Sequence, residues 1–157
     1  DPEIAAAIRA RFAARGIDPA RVELRRASPH RALLEQYAAV DIALDPFPYT
    51  GGLTTCEALW MGVPVVTRPG DYFATRHSAS HLANVGLGDW IAPDVDAYVA
   101  LAAARGADVA ALAALRAELR PRMAASPLCD ARRFGRNLAA ALRETWRQWC
   151  EENGDGG

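Results

Sequence analysis

The stretch Asp45-Pro-Phe-Pro-Tyr-Thr-Gly-Gly-Leu-Thr-Thr-Cys-Glu57 places two glycines and two threonines between a short apolar run and the start of a helical pattern. Gly51 and Gly52 let a backbone approach a bound group closely, and Thr54 and Thr55 offer hydroxyl donors. The first N–H groups of the helix, with its dipole, favour an anion such as a diphosphate. Glu57 sits in the first turns, where a carboxylate can accept from two vicinal hydroxyls, as on a ribose. A second reading is an ordinary strand-to-helix turn in which Thr54 caps the helix and Glu57, three residues on, completes a capping box. That reading accounts for Thr54 and Glu57 and leaves Gly51-Gly52 unexplained.

Other residues invite chemistry less strongly. His77 and His81 lie four apart, but no HExxH pattern, carboxylate ligand or cysteine pair accompanies them, so no metal site is assigned. Arg76 either reaches the ligand cleft or pairs with a surface carboxylate. Cys56 near a helix N-terminus is expected to have a lowered thiol pKa, yet no base partner stands beside it, and no nucleophilic role follows. Trp60 reads as core, and Trp146 and Trp149 as packing anchors.

Elements of alternating type must position the loop. Ile4, Ile8 and Phe12 make one stripe of a helix over Pro2 to Arg15, stopped by Gly16. Val22 and Leu24 alternate in a strand pattern over 21–25, and Ser28-Pro29 opens a helix with Leu33, Leu34 and Tyr37 on its apolar side. Val40 to Leu44 reads as a buried parallel strand feeding the glycine loop. A helix from Thr54 to Met61, a strand at Val65 to Thr67, a helix from Tyr72 to Val85 and a short strand at Trp90 to Ala92 follow. Helices over 95–104, 109–124 and 131–150 close the chain, with Arg120-Pro121 expected to kink or split the second. The predicted fold is α/β, a Rossmann-like parallel sheet with helices on both faces plus C-terminal helices, as one domain over 1–150 followed by a flexible tail at 151–157.

A length of 157 residues suits one core, and a net charge of -1 gives no excess of positive charge for a phosphate backbone, so nucleic-acid binding is not expected. All the basic side chains except the histidines are Arg, and Ala and Arg fill the helices. Three cysteines without CxxC spacing suggest neither a disulfide framework nor zinc and fit a reducing cytoplasm. No stretch approaches the roughly 20 apolar residues that span a bilayer, and no signal peptide is evident. The helical start suggests a piece of a longer protein.

The run from Val40 through the glycine loop to Thr67, continued by Phe73-Ala-Thr-Arg-His-Ser-Ala-Ser80, resembles the C-terminal catalytic lobe of the O-linked N-acetylglucosamine transferase and plant SPINDLY family. The similarity extends more loosely from the first helix through Ser126-Pro127-Leu128 to the last. The resemblance implies the C-terminal lobe of a GT-B architecture, whose two Rossmann-like lobes usually follow tetratricopeptide repeats. It implies that Gly52, Thr54 and Thr55 lie at the diphosphate of UDP-GlcNAc and that Glu57 holds the ribose. The segment Ala27-Ser-Pro-His30 is similar to the family's loop near the uracil and phosphates, which brings in Ser28 and His30. A Lys is typical of the animal enzymes where His30 stands, and a His where Leu33 stands; a neutral imidazole supplies less charge than Lys.

What the resemblance implies as function is the UDP-GlcNAc-binding half of an inverting glycosyltransferase that modifies Ser or Thr hydroxyls of proteins, with no metal or other cofactor. The family's proton acceptor lies in the other lobe, so no catalytic residue is assigned in this chain. Expected partners are the nucleotide sugar, an acceptor protein and the other lobe, without nucleic acid or membrane. Two alternatives stay open: a GT-B lobe that uses GDP-fucose or an Asn acceptor, and a non-catalytic nucleotide-sugar-binding or interaction module.

Overall fold

The computed structural model describes residues 1–153. The described residues pack as two compact units, 1–33 and 34–153.

In the first unit, helix α1 (Pro2–Ala13) begins at Asp1, whose carboxylate accepts the Glu3 N–H at 2.9 Å. Gly16, at φ 77°, turns the chain out of the helix. Asp18 caps a single 3-10 turn at Pro19–Arg21. The segment that follows keeps the alternation read from Val22 and Leu24, both half-buried between exposed neighbours, but it is not a strand. It pairs with no ladder among the described residues, and alternation without a hydrogen-bonded neighbour leaves only an extended segment.

Helix α2 (His30–Gln36) leads through a 3-10 turn at Tyr37–Ala39 into β1 (Ala43–Leu44). Helix α3 (Leu53–Trp60) returns the chain to β2 (Val65–Val66), which pairs parallel with β1 in the register Ala43 to Val65 and Leu44 to Val66. A parallel bridge from Thr67 to Ile91 adds the third line of the sheet. The fold is thus α/β, predominantly helical around a small parallel sheet. The strands are shorter than their apolar runs because the 3-10 turn occupies the entry to β1, and a second one at Gly88–Trp90 leaves only one bridge beyond it.

Helix α4 is shorter than the sequence suggests. A 3-10 turn at Phe73–Thr75 precedes it, and the α-helix spans His77–Asn84. Helices α5 (Val95–Ala107) and α6 (Val109–Ala125) start at Asp94 and Asp108, whose side chains accept N–H bonds from Ala97 and Ala111. Pro121 does not split α6. The helix runs through it without the one N–H that would have met the Ala117 carbonyl, and the neighbouring Arg120 donates to the Trp60 carbonyl at 2.8 Å. Among the described residues no single helix is long and apolar enough to cross a membrane.

The core of the second unit joins Leu59, Val63, Val65, Val66, Leu82, Leu87, Trp90, Leu112, Leu119 and Met123. Arg116 ties α6 to the entry of the sheet, donating to the carbonyls of Val40 at 2.9 Å and Tyr37 at 2.7 Å. Trp60 is not core: it is 40% exposed, with the Arg120 guanidinium 5.3 Å above its ring. The last helix, α7, spans Ala131–Asn153, so residues 151–153 of the expected tail are helical, and 154–157 lie outside the described residues. Trp146 and Trp149 anchor no core here; both are exposed, and their rings stack on each other at 5.2 Å.

Candidate functional site

The glycine loop leaves the C-terminal end of β1 and enters α3, the edge at which open α/β sheets bind ligands. Its geometry starts from Asp45, the first residue after β1, which is 4% exposed. One carboxylate oxygen accepts the Gly51 N–H at 2.7 Å, and the other accepts the Thr67 hydroxyl at 2.6 Å. The Tyr98 hydroxyl donates to the Asp45 carbonyl at 3.0 Å. A single buried carboxylate therefore closes the loop onto the end of β2.

The far side of the loop is held by α4 and the turn before it. Thr50 donates through both its N–H and its hydroxyl to the Ala74 carbonyl. The Ser78 hydroxyl, fully buried, donates to the Gly51 carbonyl at 2.9 Å and lies 2.7 Å from the Thr55 hydroxyl. A serine has one proton and the carbonyl can only accept, so the Thr55 hydroxyl is the donor to Ser78. Thr55 is thus a brace. Its hydroxyl proton is not available to a ligand, which corrects the expectation that both threonines donate outward.

Gly52 is the residue that caps α3, and the first backbone bond of the helix runs from Cys56 N–H to the Gly52 carbonyl. Thr54 is the second helical residue, so the capping box does not form. The N–H groups of Gly52, Leu53, Thr54 and Thr55 all precede that first bond. Thr54 is exposed, and its hydroxyl bonds to no described protein group. A Cβ on Gly51 would meet Thr55 Oγ1 at 2.6 Å and Thr54 Oγ1 at 2.9 Å, whereas one on Gly52 would meet only His77 Nδ1, at 3.6 Å. Gly51 is glycine for packing; at Gly52 a side chain would make only an ordinary contact. Beside them a cleft of about 150 Å³ is lined by Tyr37, Asp45, Thr54 and Thr55 among others.

Glu57 is half-buried one turn into α3. Arg76, exposed at the start of α4, donates to the Gly70 carbonyl at 3.2 Å and pairs with no carboxylate among the described residues. It lies in sequence between Ala74 and Ser78, the two positions that grip the loop. Ser28 and His30 fall in the first unit: Ser28 is half-buried ahead of α2, and His30 is exposed as its first residue.

Burial raises the Cys56 thiol pKa, with Cys129 and Glu57 adding to the rise, so desolvation outweighs the helix terminus and the expected lowering is reversed. His77 packs its ring edge-on to Phe73 at 4.5 Å. Burial and the neighbouring His77 lower the pKa of His81, against an opposing pull from Asp45. Among the described residues no three His, Cys, Asp or Glu side chains gather as a metal site.

Sequence reasoning missed Asp45, Thr67 and Ser78 as site residues. Asp45 carried a signal as the carboxylate that ends an apolar run. Ser78 carried a fainter one, a small polar residue four positions before the fully buried Leu82 on the same helix face.

The model of glycosyl transferase family 41 matches residues 3–138. The rice (Oryza sativa subsp. japonica) protein named probable UDP-N-acetylglucosamine-peptide N-acetylglucosaminyltransferase SPINDLY is 44% identical over 137 residues, which cover 87% of this chain and 15% of its own length. The UDP-N-acetylglucosamine-peptide N-acetylglucosaminyltransferase of Caenorhabditis elegans is 28% identical over 135 residues, 86% of this chain and 12% of that one. A solved point mutant of the Thermobaculum terrenum O-GlcNAc transferase matches with a TM-score of 0.89 at 36% identity, over 97% of this chain and 29% of that one. This chain therefore spans less than a third of each of these relatives. The glycine loop, its buried clasp and the parallel frame around them sit within the matched region, and the chain belongs to glycosyl transferase family 41.

Proposed function

We propose that this chain is the donor-binding half of an inverting glycosyltransferase that moves N-acetylglucosamine from UDP-GlcNAc to a Ser or Thr hydroxyl of an acceptor protein. The observation that carries the reading is the glycine loop clasped at both ends, with the open N–H groups of α3 behind it, in a chain of family 41. The acceptor oxygen attacks the anomeric carbon, the bond from that carbon to the diphosphate oxygen breaks, and UDP leaves. In this reading the Gly52 N–H, the first-turn N–H groups and the Thr54 hydroxyl stabilise the charge growing on the diphosphate. Glu57 takes the ribose hydroxyls, and Arg76 adds a cation near the loop. These donors meet the diphosphate without a metal.

The acceptor's proton goes to a base supplied from outside this chain, in the companion lobe of a two-lobed cytoplasmic enzyme. Calorimetric titration with UDP, GDP, UDP-GlcNAc and GDP-fucose in EDTA tests the reading. Selective binding of UDP and UDP-GlcNAc is expected, with Glu57→Ala weakening both in a folded protein. Preference for GDP would transfer the reading to a fucosyl donor, and absence of binding to all four would overturn it.

A further inference from the structure

Ser78 makes two hydrogen bonds that nothing in the assigned chemistry uses, and one of them holds the peptide group between the two glycines of the loop. The Gly51–Gly52 peptide is trans, so its C=O and N–H point in opposite directions. The Gly51 carbonyl is drawn toward α4 by Ser78 Oγ at 2.9 Å, while Asp45 holds the Gly51 N–H on the preceding peptide at 2.7 Å. With both flanking groups fixed, the Gly52 N–H must point away from Ser78, and it meets no acceptor among the described residues. Thr55 keeps Ser78 in the donating orientation by supplying the other hydroxyl bond, at 2.7 Å. Ser78 itself is fully buried and cannot touch a ligand.

We infer that Ser78 is a positioning residue: by holding the Gly51 carbonyl inward it aims the Gly52 N–H at the donor's diphosphate. The inference rests on the reading of the loop as a diphosphate site, and it assigns the aim of that site to a hydroxyl on a different helix. A hydrogen bond from a fixed N–H to a charged oxygen is among the stronger single contacts available, and a peptide free to rotate loses much of it.

The test compares UDP with uridine on the native protein, Ser78→Ala and Ser78→Cys. The cysteine fills the same space with a weak donor. Ser78→Ala is expected to bind UDP about tenfold more weakly, with uridine affinity unchanged, because uridine lacks the diphosphate. In isotope-labelled native protein the Gly52 amide proton is expected to shift downfield on addition of UDP, and in the variant that shift is lost. Should Ser78→Ala fail to fold, the same comparison on Ser78→Cys decides, with a loss of several-fold expected.

UDP affinity equal to native in a folded variant, or an equal loss for UDP and uridine, overturns the positioning role and leaves the donor-site reading standing. Failure of the native protein to bind UDP at all overturns both.

Discussion

Asp45 and Thr67 join the ends of the two paired strands through a 2.6 Å bond between carboxylate and hydroxyl, and the same carboxylate holds the glycine loop through Gly51. Asp45→Ala leaves a half-buried N–H and a buried hydroxyl without their acceptor and is expected to cost about 3 kcal/mol. Asp45→Asn is expected to cost only about 1 kcal/mol. Its amide oxygen can serve Gly51, and its amine can donate to Thr67, whose hydroxyl accepts as well as donates. Urea unfolding of the two variants checks the order; equal losses would mean that the charge, not the pair of bonds, closes the loop.

The two adjacent glycines should separate stability from binding. An alanine Cβ at position 51 would stand 2.6 Å from Thr55 Oγ1 and 3.2 Å from Asp45 Oδ1, so Gly51→Ala must displace the clasp. It is expected to lower stability by about 2 kcal/mol and to abolish UDP binding. At position 52 the nearest atom would be His77 Nδ1, at 3.6 Å, an ordinary contact. Gly52→Ala is therefore expected to unfold like the native protein and still lose UDP affinity at least tenfold, because the methyl occupies the space a diphosphate needs. Thermal unfolding alongside calorimetry reads both, and native UDP affinity in Gly52→Ala would remove position 52 from the site.

Thr54 and Thr55, equivalent in the sequence, are opposite in the fold. Thr54 is exposed with an unengaged hydroxyl, while Thr55 is buried and donates to Ser78. Thr54→Val is expected to leave stability within about 0.5 kcal/mol of native and to weaken UDP several-fold. Thr55→Val is expected to cost about 1–2 kcal/mol in stability, with the smaller effect on UDP, since the Gly51 carbonyl keeps its bond to Ser78. The reverse pattern would return the diphosphate contact to the Thr55 hydroxyl.

The frame of this site was legible in its apolar runs and its glycines. The runs ending at Leu44 and Val66 marked the two parallel strands, of which only β2 is buried as expected, Leu44 on β1 being 59% exposed, and Gly51-Gly52 between strand and helix marked the loop. Periodicity does not report hydrogen-bond partners. Val22 and Leu24 alternate as a strand would, yet find no ladder. Trp60 is large and apolar and is nonetheless a shelf for Arg120. Thr55 could not be told from Thr54 because the difference between them is Ser78, 23 residues away in the chain. Cys56 was misjudged for a related reason, since the helix terminus is written in the sequence and the desolvation that opposes it is not.

His81 gives the protein an acid-sensitive point beside the site. Its Nδ1 is buried and meets no hydrogen-bond partner, an arrangement tolerable for a bare lone pair and costly for an N–H that protonation would create. The neutral form with its proton on Nε2 is thus the one that fits. Burial and His77 hold the folded pKa below the ordinary 6.5, and the pull of Asp45 only partly offsets them. The folded state therefore binds this proton less readily than the unfolded chain. Above about pH 6.5 neither state carries it, and the contribution to stability is whole; as pH falls through that value toward the lower folded pKa, the unfolded chain gains the proton first and stability drops. His81→Gln removes the titration and should flatten the fall. Urea midpoints of native protein and variant, compared at about pH 7.5 and about pH 5.5, are expected to diverge at the acid end, with the native protein losing more. Parallel losses would show that His81 is protonated as easily in the fold as out of it.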